Sequence, residues 1–162
     1  MLKIIKTAWA YNVWAGGRFL SAAQALSEGD FLRDLGDGVG SVRDKLAHLC
    51  GADEVWMARI AGDFSPKMPA KDEFPNAQVL KSRQESVHAR YLSFLESATE
   101  ESLASSIAYR NLRGQEFSTP LYQVLMHVSN HGTYHRGQAA SLIRRISGSP
   151  PVTDLIEYFR EH

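Results

Sequence analysis

The sequence lacks three features that would assign it to an obvious class of protein. It has a single cysteine, Cys50, in 162 residues, so no disulfide can form within it and we expect a reducing, cytoplasmic location. No stretch approaches about eighteen uninterrupted apolar residues, which predicts no membrane-spanning helix. The N-terminal segment starts basic, but Tyr11, Asn12 and Gly16 interrupt its apolar run, so it makes a poor signal peptide.

An excess of charge of either sign is also absent. The 18 Lys and Arg residues balance the 18 Asp and Glu residues, and no basic stripe stands out that would bind nucleic acid. Apolar residues make up 44% and charged residues 22% of the sequence, as in ordinary globular proteins. We therefore expect a single domain spanning residues 1–162, with neither nucleic acid nor a membrane as partner.

Helical periodicity dominates the pattern that is present. Apolar residues recur at spacings of three and four in four long segments, which predicts helices over about residues 2–26, 42–62, 76–98 and 120–146. The segment 106–120 alternates apolar and polar residues around a glycine and indicates an irregular or hairpin segment. Four long helices with short to medium connections indicate an all-α protein, an antiparallel four-helix bundle.

Several helix starts can be read directly from the residues. Ser41 followed by Asp44 is typical of a capping box and opens the second predicted helix. Thr119 and Pro120 predict an N-cap and a first helical residue for the fourth. A short extra C-terminal helix, capped by Thr153, is predicted after the glycine and prolines of "SGSPP". The residues predicted to form its packing face are Leu155, Ile156 and Phe159.

Three of the six histidines lie at intervals of four in the segment "HVSNHGTYHRGQ". A helix turns about 100° per residue, which places His131 and His135 on or beside the apolar stripe and His127 at its edge. One turn separates His131 from His135, so both side chains can converge on one ion. His127 and His135 are two turns, roughly 12 Å, apart and cannot both bind it.

Two histidines four apart on a helix are, by themselves, more often surface or core polarity than metal ligands. A zinc-type site usually takes three protein ligands, so a third must come from another helix. His48 is the candidate, because it flanks the apolar stripe of the second predicted helix. His88 lies in a charged stretch and is expected to face solvent, and the terminal His162 is expected to be disordered.

Four blocks of sequence resemble, in order, the DinB/YfiT-like superfamily: "YNVWAGGRFL", "KLAHLCGADEVW", "TPLYQVLMHVSNHGTYHRGQ" and "PPVTDLIEYFRE". The most specific part is "NHGTYHRGQ", which matches the signature of two histidines four apart followed by Arg-Gly-Gln. The resemblance spans essentially the whole chain. It implies a four-helix bundle, commonly a homodimer, that holds a divalent metal ion through three histidines. Carried over by position, these are His48, His131 and His135.

The resemblance also implies a class of reaction. Characterised relatives include thiol S-transferases, which join a small thiol to an electrophile, and thiol-dependent isomerases. It therefore implies a metal-dependent transferase acting on a small molecule, with zinc or nickel as the expected metal among those that histidine sites accept. The signature holds no carboxylate that could act as a general base, unlike the H-E-x-x-H motif of zinc proteases. The alternative is a non-catalytic metal-binding or stress-response protein that retains the site.

Residues around the signature carry further expectations. Gln138 can either hydrogen-bond to an imidazole or be a surface amide, and Arg136 is expected to point away from the histidine pair, into an ion pair or a subunit contact. Cys50 is expected to be a buried, inert thiol. Gly16 and Gly17 would allow close approach of helices in a homodimer. Six aromatic residues could belong to the core or to the rim of a ligand cleft: Trp9, Trp14, Trp56, Tyr109, Tyr122 and Tyr134.

Overall fold

A computed structural model describes residues 1–36 and 38–162. Its helices are α1 (Leu2–Ala25), α2 (Glu28–Leu32), α3 (Val42–Ile60), α4 (Ala77–Ser97), α5 (Glu100–Ala104), α6 (Leu121–Ser147) and α7 (Leu155–Glu161). The strands β1 (Ser106–Arg110) and β2 (Glu116–Pro120) form an antiparallel hairpin, and a 3₁₀ turn covers Lys71–Glu73. The long helices α1, α3, α4 and α6 confirm the four predicted segments, whereas α2 and α5 are short helices that the sequence did not predict.

The four long helices pack as a four-helix bundle, as predicted. Helices α1 and α3 each pack against both α4 and α6. The N-terminal halves of α1 and α6 share one apolar cluster and their C-terminal halves share another, so these two helices run parallel. Helices α3 and α4 cross the same two clusters in the opposite direction. The connection over residues 61–76 therefore returns along the bundle and allows α3 and α4 to run parallel to each other.

Capping explains where two of the long helices begin. The side chain of Ser41 accepts a hydrogen bond from the backbone N–H of Asp44, and the Asp44 carboxylate accepts one from the N–H of Ser41. This confirms the predicted capping box, which satisfies two otherwise unpaired donors at the start of α3. At the start of α4, the side chain of Asn76 accepts from the N–H of Val79.

The predicted start of the fourth long helix is wrong by one residue. Thr119 and Pro120 end strand β2, and α6 begins at Leu121 without a side-chain cap. Two contacts explain the difference: the N–H of Leu121 donates to the carbonyl oxygen of Ser105, and the hydroxyls of Thr119 and Tyr109 lie 3.3 Å apart. The carbonyl of Ser105 thus serves one N–H that a Thr119 cap could have served, and the Thr119 hydroxyl is turned to Tyr109 instead.

The expected packing face of the C-terminal helix is also wrong. Its three residues are 46–54% exposed, and Asp154 rather than Thr153 occupies the cap position. Helix α7 instead packs through Tyr158, whose ring lies against Tyr11 and Trp14 of α1. The carbonyl of Thr153 accepts a hydrogen bond from the Tyr11 hydroxyl, which fixes the start of α7 on the bundle.

His88 is buried, which corrects the expectation that it faces solvent. It is 5% exposed, and a Cβ atom on Gly16 would lie 2.9 Å from its Cε1 atom. The amide nitrogen of Gln84 donates both to Nε2 of His88 and to Oδ2 of Asp53, at 2.7 Å each. Gly16 therefore makes room for an imidazole of the same chain, so it no longer supports a dimer contact. The homodimer stays a prediction.

No helix in the described part of the chain is both long and apolar enough to cross a membrane.

Candidate metal centre

Helices α3 and α6 bring three of the histidines together. The ring centroid of His135 lies 4.3 Å from that of His131 and 4.5 Å from that of His48, and His48 and His131 are 5.4 Å apart. One ligand nitrogen of each lies within 4.8 Å of the others. Donor nitrogens in a tetrahedral zinc site are roughly 3.3 Å apart, since each bond is about 2.0 Å long. The three imidazoles therefore fit one divalent ion after small side-chain rotations.

Gln138 orients one of these imidazoles. The side-chain oxygen Oε1 of Gln138 lies 2.9 Å from Nδ1 of His135. An amide oxygen can only accept, so Nδ1 carries the proton and Nε2 keeps its lone pair for a metal. The sequence allowed Gln138 to be either a surface amide or a hydrogen-bond partner of an imidazole, and in the structure it is the partner of His135. Such partners hold a ligand ring in one tautomer and one orientation.

His131 carries a polar atom that has no partner. Its Nδ1 is buried, and no hydrogen bond reaches it from the residues that the structure describes. A buried polar atom left unpaired costs about 1–3 kcal/mol, so such atoms are uncommon unless another group serves them. An unpaired imidazole nitrogen next to His48 and His135 is consistent with a site that binds a metal ion.

The surroundings keep the three histidines neutral. Burial lowers the pKa of His131 to about 4, and the neighbouring His135, His48 and His127 add to the effect. Burial also lowers the pKa of His48, and the nearby His135 and Lys45 lower it further. The pKa of His135 is also lowered, by burial and by Lys45, against the opposing hydrogen bond to Gln138. Neutral imidazoles are the form that binds metal ions.

These lowered pKa values predict a weak dependence of metal affinity on pH. Protons compete with a metal only below the pKa of a free imidazole, and here that range is shifted to lower pH. Three ordinary imidazoles with a pKa of 6.5 would lose about sixfold in zinc affinity between about pH 7.5 and 6.5. We expect a smaller loss, measured by competition with a chromophoric chelator at both pH values. A loss of sixfold or more would show that the histidines titrate as exposed ones do.

The cluster leaves room for a ligand that the protein does not supply. No carboxylate or thiol joins the three histidines in the described ranges 1–36 and 38–162. His48 is exposed, whereas His131 and His135 are half-buried, so the site opens towards solvent on the side of α3. Lys45, three residues before His48, lies close enough to lower the pKa of both His48 and His135. The site is therefore open and electropositive.

His127 lies outside the cluster but beside it. Its ring centroid is 5.8 Å from His131, and it is not part of the set of converging nitrogens. Its ring instead meets Trp56 of α3 edge to face at 5.4 Å. This arrangement agrees with the predicted place of His127 at the edge of the apolar stripe.

The aromatic candidates divide between core and site. Trp9 is fully buried and stacks on Tyr91 at 3.8 Å, while Trp14 packs against α7. Tyr122 packs against the apolar core cluster. Of the remaining three, Trp56 contacts His127 and Tyr134 contacts His135, whereas Tyr109 lies against Trp56. Helical periodicity could not place Tyr109 against Trp56, because strand β1 rather than a helix carries Tyr109.

Cys50 is buried within α3, two residues after His48, as expected for an inert thiol. It has no exposed surface, and its Sγ lies 3.9 Å from Oε1 of Glu54. Burial, with added repulsion from Glu54 and Asp53, raises the pKa of the thiol far above its ordinary value. Cys50 therefore stays protonated and is not a nucleophile at neutral pH.

The expectation that Arg136 forms an ion pair or a subunit contact is wrong. Arg136 does point away from the three histidines, but into the bundle, where it is 2% exposed. Its guanidinium donates to Oδ1 of Asn12 and to Oγ1 of Thr133, and it lies over the ring of Tyr11. In the part of the chain that the structure describes, it forms no ion pair. Arg136 thus joins α6 to α1 within one chain.

Comparison with known proteins agrees with this arrangement. The model of the DinB family matches residues 1–161, which is nearly the entire chain. The chain belongs to the DinB family. Among curated relatives of this DinB-family protein, Protein DinB of Bacillus subtilis (strain 168) is 25% identical over 153 residues, covering 90% of this chain and 88% of the relative.

Solved structures share the DinB-family fold. A DinB-like protein from Bacillus cereus superposes with a TM-score of 0.66 at 17% identity, over 86% of this chain and 91% of the other. YfiT from Bacillus subtilis, a probable metal-dependent hydrolase with an unusual four-helix bundle topology, gives a TM-score of 0.65 at 12% identity, over 87% and 86%. A conserved protein from Enterococcus faecalis gives 0.59 at 15% identity, over 88% and 96%. At these identities the likeness concerns the fold.

Proposed function

We propose that this protein is a metal-dependent thiol S-transferase that joins a small thiol to an electrophilic small molecule. The observation that carries the proposal is the open cluster of His48, His131 and His135, in which three neutral nitrogens converge and no fourth protein ligand is present among the described residues. Catalytic metal sites typically have three protein ligands and one open position, whereas structural sites are closed.

The charges around the cluster favour an anionic ligand such as a thiolate. Three neutral imidazoles leave the charge of a divalent ion uncompensated, and Lys45 adds a positive charge nearby. When bound, the ion would supply Lewis acidity that lowers the pKa of a thiol at the open position. His48, His131 and His135 would hold the ion, and Gln138 would keep the His135 ring in its binding orientation.

The donor set also favours transfer over hydrolysis. No carboxylate lies within the cluster of described residues to act as a general base towards water. A thiolate needs no such base, because it is already a strong nucleophile once deprotonated. In the transfer, the sulfur forms a bond to carbon while the bond from that carbon to the leaving group breaks. The leaving group departs with the electron pair, and the thiol proton is released to solvent.

Cobalt substitution tests the proposal directly. We expect glutathione or cysteine, added to the cobalt-loaded protein, to produce a thiolate-to-metal absorption band, because the thiolate occupies the open position. Loss of the same thiol with 1-chloro-2,4-dinitrobenzene should then require the metal. Both signals should vanish in His131→Ala and persist in the matched variant His127→Ala.

Two results would contradict the proposed thiol transfer. A cobalt spectrum that no small thiol alters, with the metal held tightly, would favour the alternative of a non-catalytic metal-binding or stress-response protein. X-ray absorption that finds a fourth protein ligand on the bound metal would lead to the same alternative, because the position needed for the thiol would be filled.

A further inference from the structure

A row of aromatic rings leads away from the three histidines, from α6 across α3 to the hairpin. By ring centroids, His127 lies 5.8 Å from His131 and 5.4 Å from Trp56, and Trp56 lies 5.0 Å from Tyr109 on strand β1. Phe117 on strand β2 stacks on Tyr109 at 5.8 Å and is 44% exposed. The row therefore continues from the candidate metal centre to an exposed apolar surface on the hairpin.

Arg59 places a positive charge against this row. Its guanidinium carbon lies 4.5 Å from the ring centroid of Trp56 and 4.9 Å from that of Tyr109. Such contacts hold a guanidinium over aromatic faces. Residue 59 lies eleven positions after His48, which is close to three full helical turns, so both project from one face of α3. The charge of Arg59 thus lies on the same face of α3 as His48.

The guanidinium of Arg59 is buried without an acidic partner. Arg59 is 6% exposed, its Nη2 donates to the carbonyl oxygen of Arg110 at 2.8 Å, and its Nε is buried with no partner. No ion pair joins it to a carboxylate anywhere in residues 1–36 and 38–162. Asp63 attracts its charge from a distance but forms no hydrogen bond with it. A buried charge without a counter-ion is unfavourable, so a carboxylate supplied by a ligand would bind here with a gain.

We propose that Trp56, Tyr109 and Arg59 form a binding subsite for a small planar aromatic carboxylate. Its ring would pack against the two aromatic side chains, and its carboxylate would pair with the planar fork of the guanidinium. His127 then lies between this subsite and the three histidines. That the ligand is the electrophilic substrate rests on the proposed function, but its binding to these three residues does not require the metal.

Two matched ligands test the subsite without knowledge of the natural substrate. Cinnamate and cinnamamide share one planar skeleton and differ in charge. We expect cinnamate to bind at least about tenfold more tightly, because it alone forms a charge-assisted pair with Arg59. Titrations followed by NMR should shift the indole N–H signal of Trp56, which Trp56→Phe identifies, in both the zinc-loaded and the chelator-treated protein.

Substitutions at two arginines supply the control. Arg59→Gln should reduce cinnamate affinity about tenfold, to that of cinnamamide, while Arg59→Lys should retain part of the preference because it keeps the charge. Arg110→Gln should change cinnamate affinity less than about twofold, since that guanidinium already pairs with Glu116 at 2.7 Å. If Arg59→Gln fails to fold, the ligand pair on the unaltered protein and on Arg59→Lys still decides the question.

Three results would overturn the subsite. They are equal affinity for the two ligands, shifts confined to other indole signals, and cinnamate binding that disappears when zinc is removed. The last would mean that the carboxylate binds the metal. Cobalt spectra indifferent to thiols, with cinnamate binding intact, would overturn the proposed reaction and leave the subsite standing.

Discussion

Replacing His131 with alanine is expected to reduce zinc affinity by more than about a hundredfold, which exceeds the loss usual for an outer-shell partner. By ring centroids, the imidazole of His131 lies 4.3 Å from that of His135 and 5.4 Å from that of His48. Its removal leaves two ligands, too few for a tight site. His48→Ala and His135→Ala should have effects of the same order. Metal content after dialysis, and competition with a chromophoric chelator, measure the loss.

Two further variants should lose less zinc affinity than His131→Ala. His127→Ala should leave zinc affinity mostly intact, because the ring of His127 is turned to Trp56 and is not among the converging nitrogens. Gln138→Ala should cost an intermediate amount, about tenfold or more, through the lost orientation of His135. If His127→Ala lost the metal and His135→Ala kept it, the pair of ligands on α6 would have been chosen wrongly.

Replacing Gly132 with alanine is expected to destabilise the fold by about 2 kcal/mol, although alanine favours a helix over glycine by about 1 kcal/mol. A Cβ atom at this position would lie 2.5 Å from Oδ1 of Asn12 and 2.8 Å from Nη1 of Arg136. Both residues are buried and hydrogen-bonded to each other. The added methyl group must push Asn12 and Arg136 apart, which weakens the hydrogen bond of a buried guanidinium. The free energy lost in this way exceeds the gain in helix propensity.

Gly137 provides the matched control in the same helix. Nothing lies within 4 Å of a Cβ atom built on it, and it is exposed. Gly137→Ala should therefore stabilise the protein by up to about 1 kcal/mol. Urea unfolding of the chelator-treated proteins measures both changes without a contribution from bound metal. Stabilisation of both variants would mean that the contact between Asn12 and Arg136 adapts freely to the added methyl group.

Local sequence patterns determined much of this protein. Each long helix follows from apolar residues three and four apart, and the capping box of Ser41 and Asp44 follows from two residues on one turn. The pairing of His131 and His135 is of the same kind, since a single helical turn separates them. These features depend on neighbours within about four positions, which a single sequence displays directly. His48, on another helix, was a candidate because it flanks the apolar stripe of its own helix, and the family resemblance pointed to the same residue.

Only the tertiary structure decided which helix faces meet. His88 was expected to face solvent and Arg136 to form an ion pair or a subunit contact, yet both are buried within the bundle. Gly16 of α1 makes room for the ring of His88, and Gly132 makes room for Asn12 of α1, which accepts a hydrogen bond from Arg136. The parallel course of α3 and α4 depends on a connection whose path no periodicity reveals. The meeting of Arg59 with Tyr109 joins residues fifty positions apart across a helix and a hairpin. Contacts of this kind arise from packing between elements, whereas periodicity records only which face of one element is apolar.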